Sequence, residues 1–157
     1  MWALLLTTHA VLVDRIEQRL AQANLPPLGW YDVLWGLERS PGQRQRMSEL
    51  AHKTVLSRSN LTRLVDRLEE AGVVKRERSE QDRRGAYAVL TEAGKALRRK
   101  MWPVYQAAIR ELFEACLSDE EAEIVSAVLR RILDAARQAA SASAPASDAP
   151  AEPGPAA

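Results

Sequence analysis

Between Ser48 and Gly94 the spacing of apolar residues changes from that of helices to that of strands, and no other stretch limits the fold as strongly. It reads as a short helix, a tight turn, a longer helix and then a basic β-hairpin. In the longer helix Leu61, Leu64, Val65 and Leu68 fall at i, i+3, i+4 and i+7, a single stripe suited to burial. Ser57 stands where an N-cap is needed, and Gly72 suits the left-handed residue that closes a helix. Arg58, Ser59, Asn60, Thr62 and Arg63 take the remaining surface of the first turns. Mixed charges of the kind that cover a merely solvated helix face come only at the far end, in Asp66, Arg67, Glu69 and Glu70.

Ahead of that helix, Gln43 to Met47 is expected to add a short strand to the later hairpin. Ser48 is a candidate N-cap for the first helix of the pair, with Glu49 well placed on its dipole. That helix should end near Lys53 or Thr54, with Leu50 and Ala51 inward and His52 and Lys53 outward. After Gly72, Val73 to Arg78 alternates, Ala86 to Leu90 supplies the return strand, and SEQDRRG forms the tip. The expected fold is mainly α with a small β-hairpin wing: a winged helix-turn-helix flanked by N- and C-terminal helices.

Charge supports a polyanionic partner for this segment alone. The chain has 22 Lys and Arg against 21 Asp and Glu, but from Arg39 to Arg84 there are 12 basic and 7 acidic residues. A local excess of positive charge on the segment that carries the motif is what duplex binding requires. Base edges would be read by Ser57, Arg58, Ser59, Asn60, Thr62 and Arg63, whose side chains bond bases and phosphates alike. Phosphates would be met by His52, Lys53, Arg76, Arg78 and Arg83, and Arg84 would enter the minor groove. Asp82, two residues before Arg84, is unusual at a DNA-facing tip unless it orients that arginine through a carboxylate–guanidinium pair.

LSRSNLTRLVDRLEEAGVVKRE followed by DRRGAYAVLTEAG resembles the MarR family of bacterial winged-helix regulators. In that family a D-x-R-x(5)-L-T-x-x-G pattern marks the wing and the next helix; here it is Asp82, Arg84, Leu90, Thr91 and Gly94. The resemblance covers roughly Trp2 to Arg137. It implies a homodimer on an inverted-repeat operator, acting as a repressor that responds to a small aromatic or phenolic effector. An activator of the same family, or a winged helix that binds protein, is the alternative. The resemblance places the domain at 1–137, with the DNA-binding lobe at 28–94 and dimerisation helices at 2–23 and 95–137. Candidate walls of an effector pocket are His9, Arg15, Trp30, Tyr31 and Trp35; the three aromatics would otherwise cap the core between helices.

The flanking segments agree. Trp2 to Ala23 is amphipathic with an apolar start, and so much aliphatic surface on a terminal helix calls for a partner, most commonly a second copy. Asn24, Pro26 and Pro27 stop it, and Gly29 to Arg39 forms the next helix, with Val33, Leu34 and Leu37 inward. After the wing, Thr91 should cap a long helix to about Leu117, interrupted by Pro103. Ser118 and Glu121 form a capping box for the last one. From Gln138 to Ala157 the Ala, Ser and Pro composition predicts a disordered tail.

Other classes find little support. There is no glycine-rich phosphate loop, no nucleophile at known spacing from a base, and just two histidines, far apart, so no enzyme, metal site or cofactor is expected. Cys116 is the single cysteine, which excludes an intrachain disulfide; on a Leu- and Ala-rich helix it reads as a small core residue. MWALLL is short and lacks a basic leader, so neither a signal peptide nor a membrane span is expected, and the location is read as cytoplasmic.

Overall fold

The computed structural model describes residues 1–53, 58–78 and 86–142, and it does not describe the side chains of 51–53, 58–59 and 140–142. In chain order the elements are α1 (Trp2–Gln22), α2 (Leu28–Glu38), β1 (Arg44–Arg46), α3 (Met47–Lys53), α4 (Arg58–Glu70), β2 (Val74–Arg78), β3 (Ala86–Leu90), α5 (Glu92–Leu112) and α6 (Asp119–Ala142). Short 3-10 turns, Pro41–Gln43 and Glu114–Cys116, precede β1 and follow α5. The strands form one antiparallel sheet in the order β1-β3-β2, with Gln45 opposite Ala88 and Arg76 opposite the same alanine from the other side.

Helix ends follow from local chemistry. At the end of α1, Asn24 has φ 54°, the Leu25 N–H reaches the Leu20 carbonyl at 2.9 Å and the Asn24 N–H reaches that of Ala21 at 3.0 Å. The end of α4 repeats the motif with Gly72 at φ 70°, Val73 N–H to Leu68 O at 3.0 Å and Gly72 N–H to Glu69 O at 2.9 Å. These paired bonds satisfy carbonyls that a helix end leaves open and turn the chain sharply.

Residues Met1–Ala115 form one compact unit and a second begins at Cys116. The first unit holds two cores. One joins Val33, Leu34 and Leu37 of α2 with Leu50, the Leu61–Leu64–Val65–Leu68 stripe, Val73, Val74, Ala88 and Leu90. The other joins Ile16 and Leu20 of α1, Leu25, Leu28 and Tyr31, and Met101 and Ala108 of α5. α2 serves both cores from opposite sides, and Leu97 of α5 packs against both. An ion pair between Arg19 and Glu111, two bonds of 2.7 and 2.6 Å, adds a tie between α1 and α5.

In the second unit, α6 opens with the expected capping box. The Ser118 N–H donates to Glu121 Oε2 at 2.8 Å, and the Glu121 N–H donates to Ser118 Oγ at 3.3 Å. Asp119, Glu120 and Glu121 fill the first turn, where the helix dipole favours negative charge.

Four expectations change. The tail was read as disordered from Gln138, but α6 continues to Ala142, because alanine is the strongest helix former and Gln138–Ala142 holds three. The long helix stops at Leu112 instead of Leu117, since Phe113 leaves helical angles at φ −126°. Cys116 accordingly lies exposed in a 3-10 turn and not in a core. α3 starts at Met47, two residues earlier than a Ser48 cap would allow, so Ser48 sits inside its first turn with Glu49 and does not cap it. Among the described residues, no helix is long and apolar enough to cross a membrane.

Candidate nucleic-acid interface

The sequence stripe on α4 is the floor of the site. Leu61, Leu64, Val65 and Leu68 are buried, which fixes the roll of the helix and leaves Asn60, Thr62, Arg63 and Arg67 exposed. Arg58 and Ser59 stand in its first turn and Lys53 and His52 at the end of α3. Ser57, Asp82, Arg83 and Arg84 lie outside the described residues.

Two of the expected readers, Asn60 and Arg63, line a cleft. Asn60, Arg63, Leu64, Asp66 and Arg67 form one wall of a cleft of about 1090 Å³ whose other walls include His9, Val13, Ile16 and Glu17 of α1, Pro27 to Trp30 and Asp32 near the start of α2, and Tyr105. Asp32 keeps a solvent-facing side chain, yet its carboxyl is raised above the usual range, first by partial loss of hydration and then by the charge of Glu17. Of the five residues expected to wall an effector pocket, His9 and Trp30 line this cleft. Tyr31 is buried and instead stacks with Trp35 at 6.4 Å and Trp102 at 6.0 Å, and meets Tyr105 edge-on at 5.0 Å. The guanidinium groups of Arg39 and Arg98 lie over the Trp35 ring at 5.4 and 5.0 Å, and Arg98 is paired with Glu38. Arg15 is exposed on α1 and bonds Gln18 at 3.2 Å. The aromatic run on α2 therefore divides. Its helical angle sends Trp30 to the cleft and Tyr31 and Trp35 to a ladder with α5.

The cationic residues of the sheet also separate. Arg78 is exposed at the end of β2. Arg76 is not presented outward in the same way: its guanidinium lies 2.6 Å from Asp66 and 3.7 Å from Glu69. On the other face of the sheet, Arg44 and Arg46 sit over the Tyr87 ring at 4.2 and 5.5 Å, and Arg46 Nε donates to the phenol oxygen at 3.1 Å. Bonds first from Arg46 and then from Arg44 hold the Tyr87 phenol below its ordinary pKa. Sequence reading passed over this pair, although Arg44-x-Arg46 on a strand puts both on one face by the period of two.

The joint between wing and α5 is built on Thr91. Its hydroxyl donates to the Gly72 carbonyl at 2.8 Å and accepts from the Gly94 N–H at 3.1 Å, and its own N–H reaches the Val73 carbonyl at 3.3 Å. Gly94 is buried here, with space for no side chain: a Cβ would stand 2.2 Å from the Val73 carbonyl oxygen. One threonine thus ties the end of α4, the start of β2 and the start of α5.

A family model described as the MarR family matches residues 23–85, the span from the turn after α1 to the wing. The crystal structure of AbsC, a MarR family transcriptional regulator from Streptomyces coelicolor, superposes with a TM-score of 0.78 at 36% identity, covering 87% of this chain and 92% of that one. This chain belongs to the MarR family. Sco3205, a MarR family transcriptional regulator from the same organism whose structure was solved in complex with DNA, is 30% identical with a TM-score of 0.79 over 85% of this chain and 84% of that one. An uncharacterized HTH-type transcriptional regulator of Bacillus subtilis, YfiV, is 38% identical over 96 residues, which is 59% of each chain. The matched region spans about three-fifths of that curated relative's length. The winged helix-turn-helix with its mostly helical surround is therefore the MarR fold, and its Leu90–Thr91–Gly94 signature corresponds to a physical joint.

Proposed function

We propose that this MarR family chain is a sequence-specific duplex-DNA-binding transcriptional regulator that works in the cytoplasm as a homodimer on an inverted repeat. The observation that carries the reading is α4: a buried apolar stripe holds the helix while Asn60, Thr62 and Arg63 stay exposed at its N-terminal half, beside a basic hairpin. Side chains of this kind bond base edges in the major groove. That Sco3205, a relative of the same fold, was solved in complex with DNA supports the reading. Ser57, Arg58 and Ser59 complete the reading set, Lys53, Arg78 and Arg83 meet phosphates, and Arg84, oriented by Asp82, enters the minor groove.

A dimer supplies the second half-site. The first turns of α1 expose Trp2, Leu4, Leu5 and Leu6, and α6 exposes Ile124, Leu129, Ile132 and Leu133, apolar surface that a second copy would cover. Two twofold-related recognition helices then select half-sites about one helical turn apart, roughly 10 bp. A dimer seated there excludes other proteins from a promoter, which makes repression the default outcome.

The cleft supports a ligand-responsive reading. A small aromatic or phenolic effector bound among His9, Trp30 and Tyr105 would touch Asn60 and Arg63 on the reading helix itself. An effector that binds the DNA-incompetent arrangement more tightly shifts the population away from DNA by its differential affinity.

The test is selection of bound duplexes from a random pool by the full chain, repeated with a panel of aromatic acids and phenols. We expect an enriched inverted repeat, binding that weakens steeply with salt, and at least one compound that reduces capture. No enriched repeat would refute the DNA reading, and a repeat indifferent to every compound would remove the effector from it.

A further inference from the structure

We propose that Arg76 is a positioning residue that fixes the wing against the recognition helix, and that it does not contact DNA phosphate. The inference rests on the DNA-binding reading above and changes the role of one residue within it. Thr62, Asp66 and Glu69 fall at i, i+4 and i+7, so they form one stripe of α4, and Arg76 of β2 engages all three. Its Nη2 lies 2.6 Å from Asp66 Oδ1 and donates to the Thr62 carbonyl at 3.4 Å, and its Nη1 stands 3.7 Å from Glu69 Oε2. Its backbone N–H donates to the other oxygen of Glu69 at 3.0 Å.

Both main chain and side chain of one wing residue are thus held by the helix that reads the bases. A phosphate approaching Arg76 would meet two carboxylates for one guanidinium, so the local field opposes the contact the sequence suggested. Arg78, two residues on, is exposed and remains suited to phosphate. The planar fork of arginine puts Nη2 against Asp66 and the Thr62 carbonyl while Nη1 faces Glu69; lysine has a single terminal nitrogen and cannot hold both positions. Because Arg78 follows two residues on along the same strand, the angle at Arg76 sets where Arg78 falls when α4 is in the groove.

The experiment uses the full chain with Arg76→Met, Arg76→Lys, Asp66→Asn and the Arg76→Met/Asp66→Asn double variant. Affinity is measured across a salt series for the duplex that the wild-type protein enriches and for an unselected duplex of equal length. We expect Arg76→Met and Arg76→Lys each to weaken the enriched duplex roughly tenfold, and the double variant to be no weaker than Arg76→Met alone. The slope of log affinity against log salt should stay unchanged, and binding to the unselected duplex should change by less than about twofold. A phosphate contact gives the opposite pattern: Arg76→Met lowers the slope by about 1 and weakens both duplexes alike, and Arg76→Lys restores binding. That pattern, or no effect of either variant, overturns the proposal. Arg76→Lys carries the test if Arg76→Met melts too early to assay. A wild-type protein that enriches no duplex refutes the DNA reading and this inference with it, whereas the phosphate pattern on an enriched duplex refutes this inference alone.

Discussion

Replacing Gly94 by alanine should damage the protein through one atom. The added Cβ would lie 2.2 Å from the Val73 carbonyl oxygen, 2.8 Å from Leu90 Cδ1 and 3.2 Å from Leu34 Cδ2. A leucine methyl can rotate away, but the carbonyl is backbone and accepts the Thr91 N–H. Relief therefore requires the start of α5 to back off by about 1 Å, an overpacking cost of about 1–3 kcal/mol. That movement also pulls apart the Thr91 bonds to Gly72 and Val73, at about 1 kcal/mol each. The better helix propensity of alanine returns at most about 1 kcal/mol. The net is about 3 kcal/mol, or a fall of roughly 10 °C in melting temperature for a chain of this size. Gly72→Ala is the control. Nothing lies within 4 Å of its Cβ and its φ is 70°, so it bears only the left-handed backbone penalty of about 1–2 kcal/mol. Thermal melts by circular dichroism at matched protein concentration compare the two. If Gly94→Ala melts no lower than Gly72→Ala, steric closure at the joint is the wrong explanation for that glycine.

Arg84→Ala should cost about 1–3 kcal/mol in binding to the enriched duplex, and unchanged affinity in a DNA titration would remove Arg84 from the minor groove. Leu97→Ala, which loosens the contact with both cores, should destabilise the chain by about 2 kcal/mol, read from denaturant midpoints. Asp32→Asn should stabilise near neutral pH: a carboxyl whose folded pKa is raised opposes folding when ionised, and that opposition disappears as pH falls below its unfolded value near 3.8. The melting-temperature gain of Asp32→Asn should therefore shrink on acidification, and a gain that grows instead would mean that Asp32 is stabilised as the carboxylate.

Periodicity in the sequence was enough to place α4, since four apolar residues on one stripe admit one roll of the helix. The two strands of the hairpin and the Ser118–Glu121 box were equally legible, because each is set by neighbours a few residues apart. The division of Trp30 from Tyr31 and Trp35 was not. All three are apolar and aromatic, and what separates them is the position of α1, α4 and α5 around α2, a fact of tertiary packing. Arg76 illustrates the same limit. Alternation identifies which face of β2 it occupies, but its partners Asp66 and Glu69 lie on a different element and become visible only when α4 and β2 are brought together. The Asn24 turn and Cys116 show opposite outcomes of local reading: the first was fixed by an αL residue beside prolines, the second depended on where α5 chose to end.

Glu69 has one more consequence, for life in a crowded solution. β2 lies at the edge of the three-stranded sheet, where an outward N–H invites a strand from another molecule to add on. The Arg76 N–H is taken by the Glu69 carboxylate. A carboxylate has lone pairs and no proton to offer, so an incoming strand would have to displace it and leave a negative charge against its own carbonyls. A side chain from α4 thus also guards the sheet against edge-to-edge aggregation, and Glu69→Ala should be most visible in how long concentrated protein stays in solution.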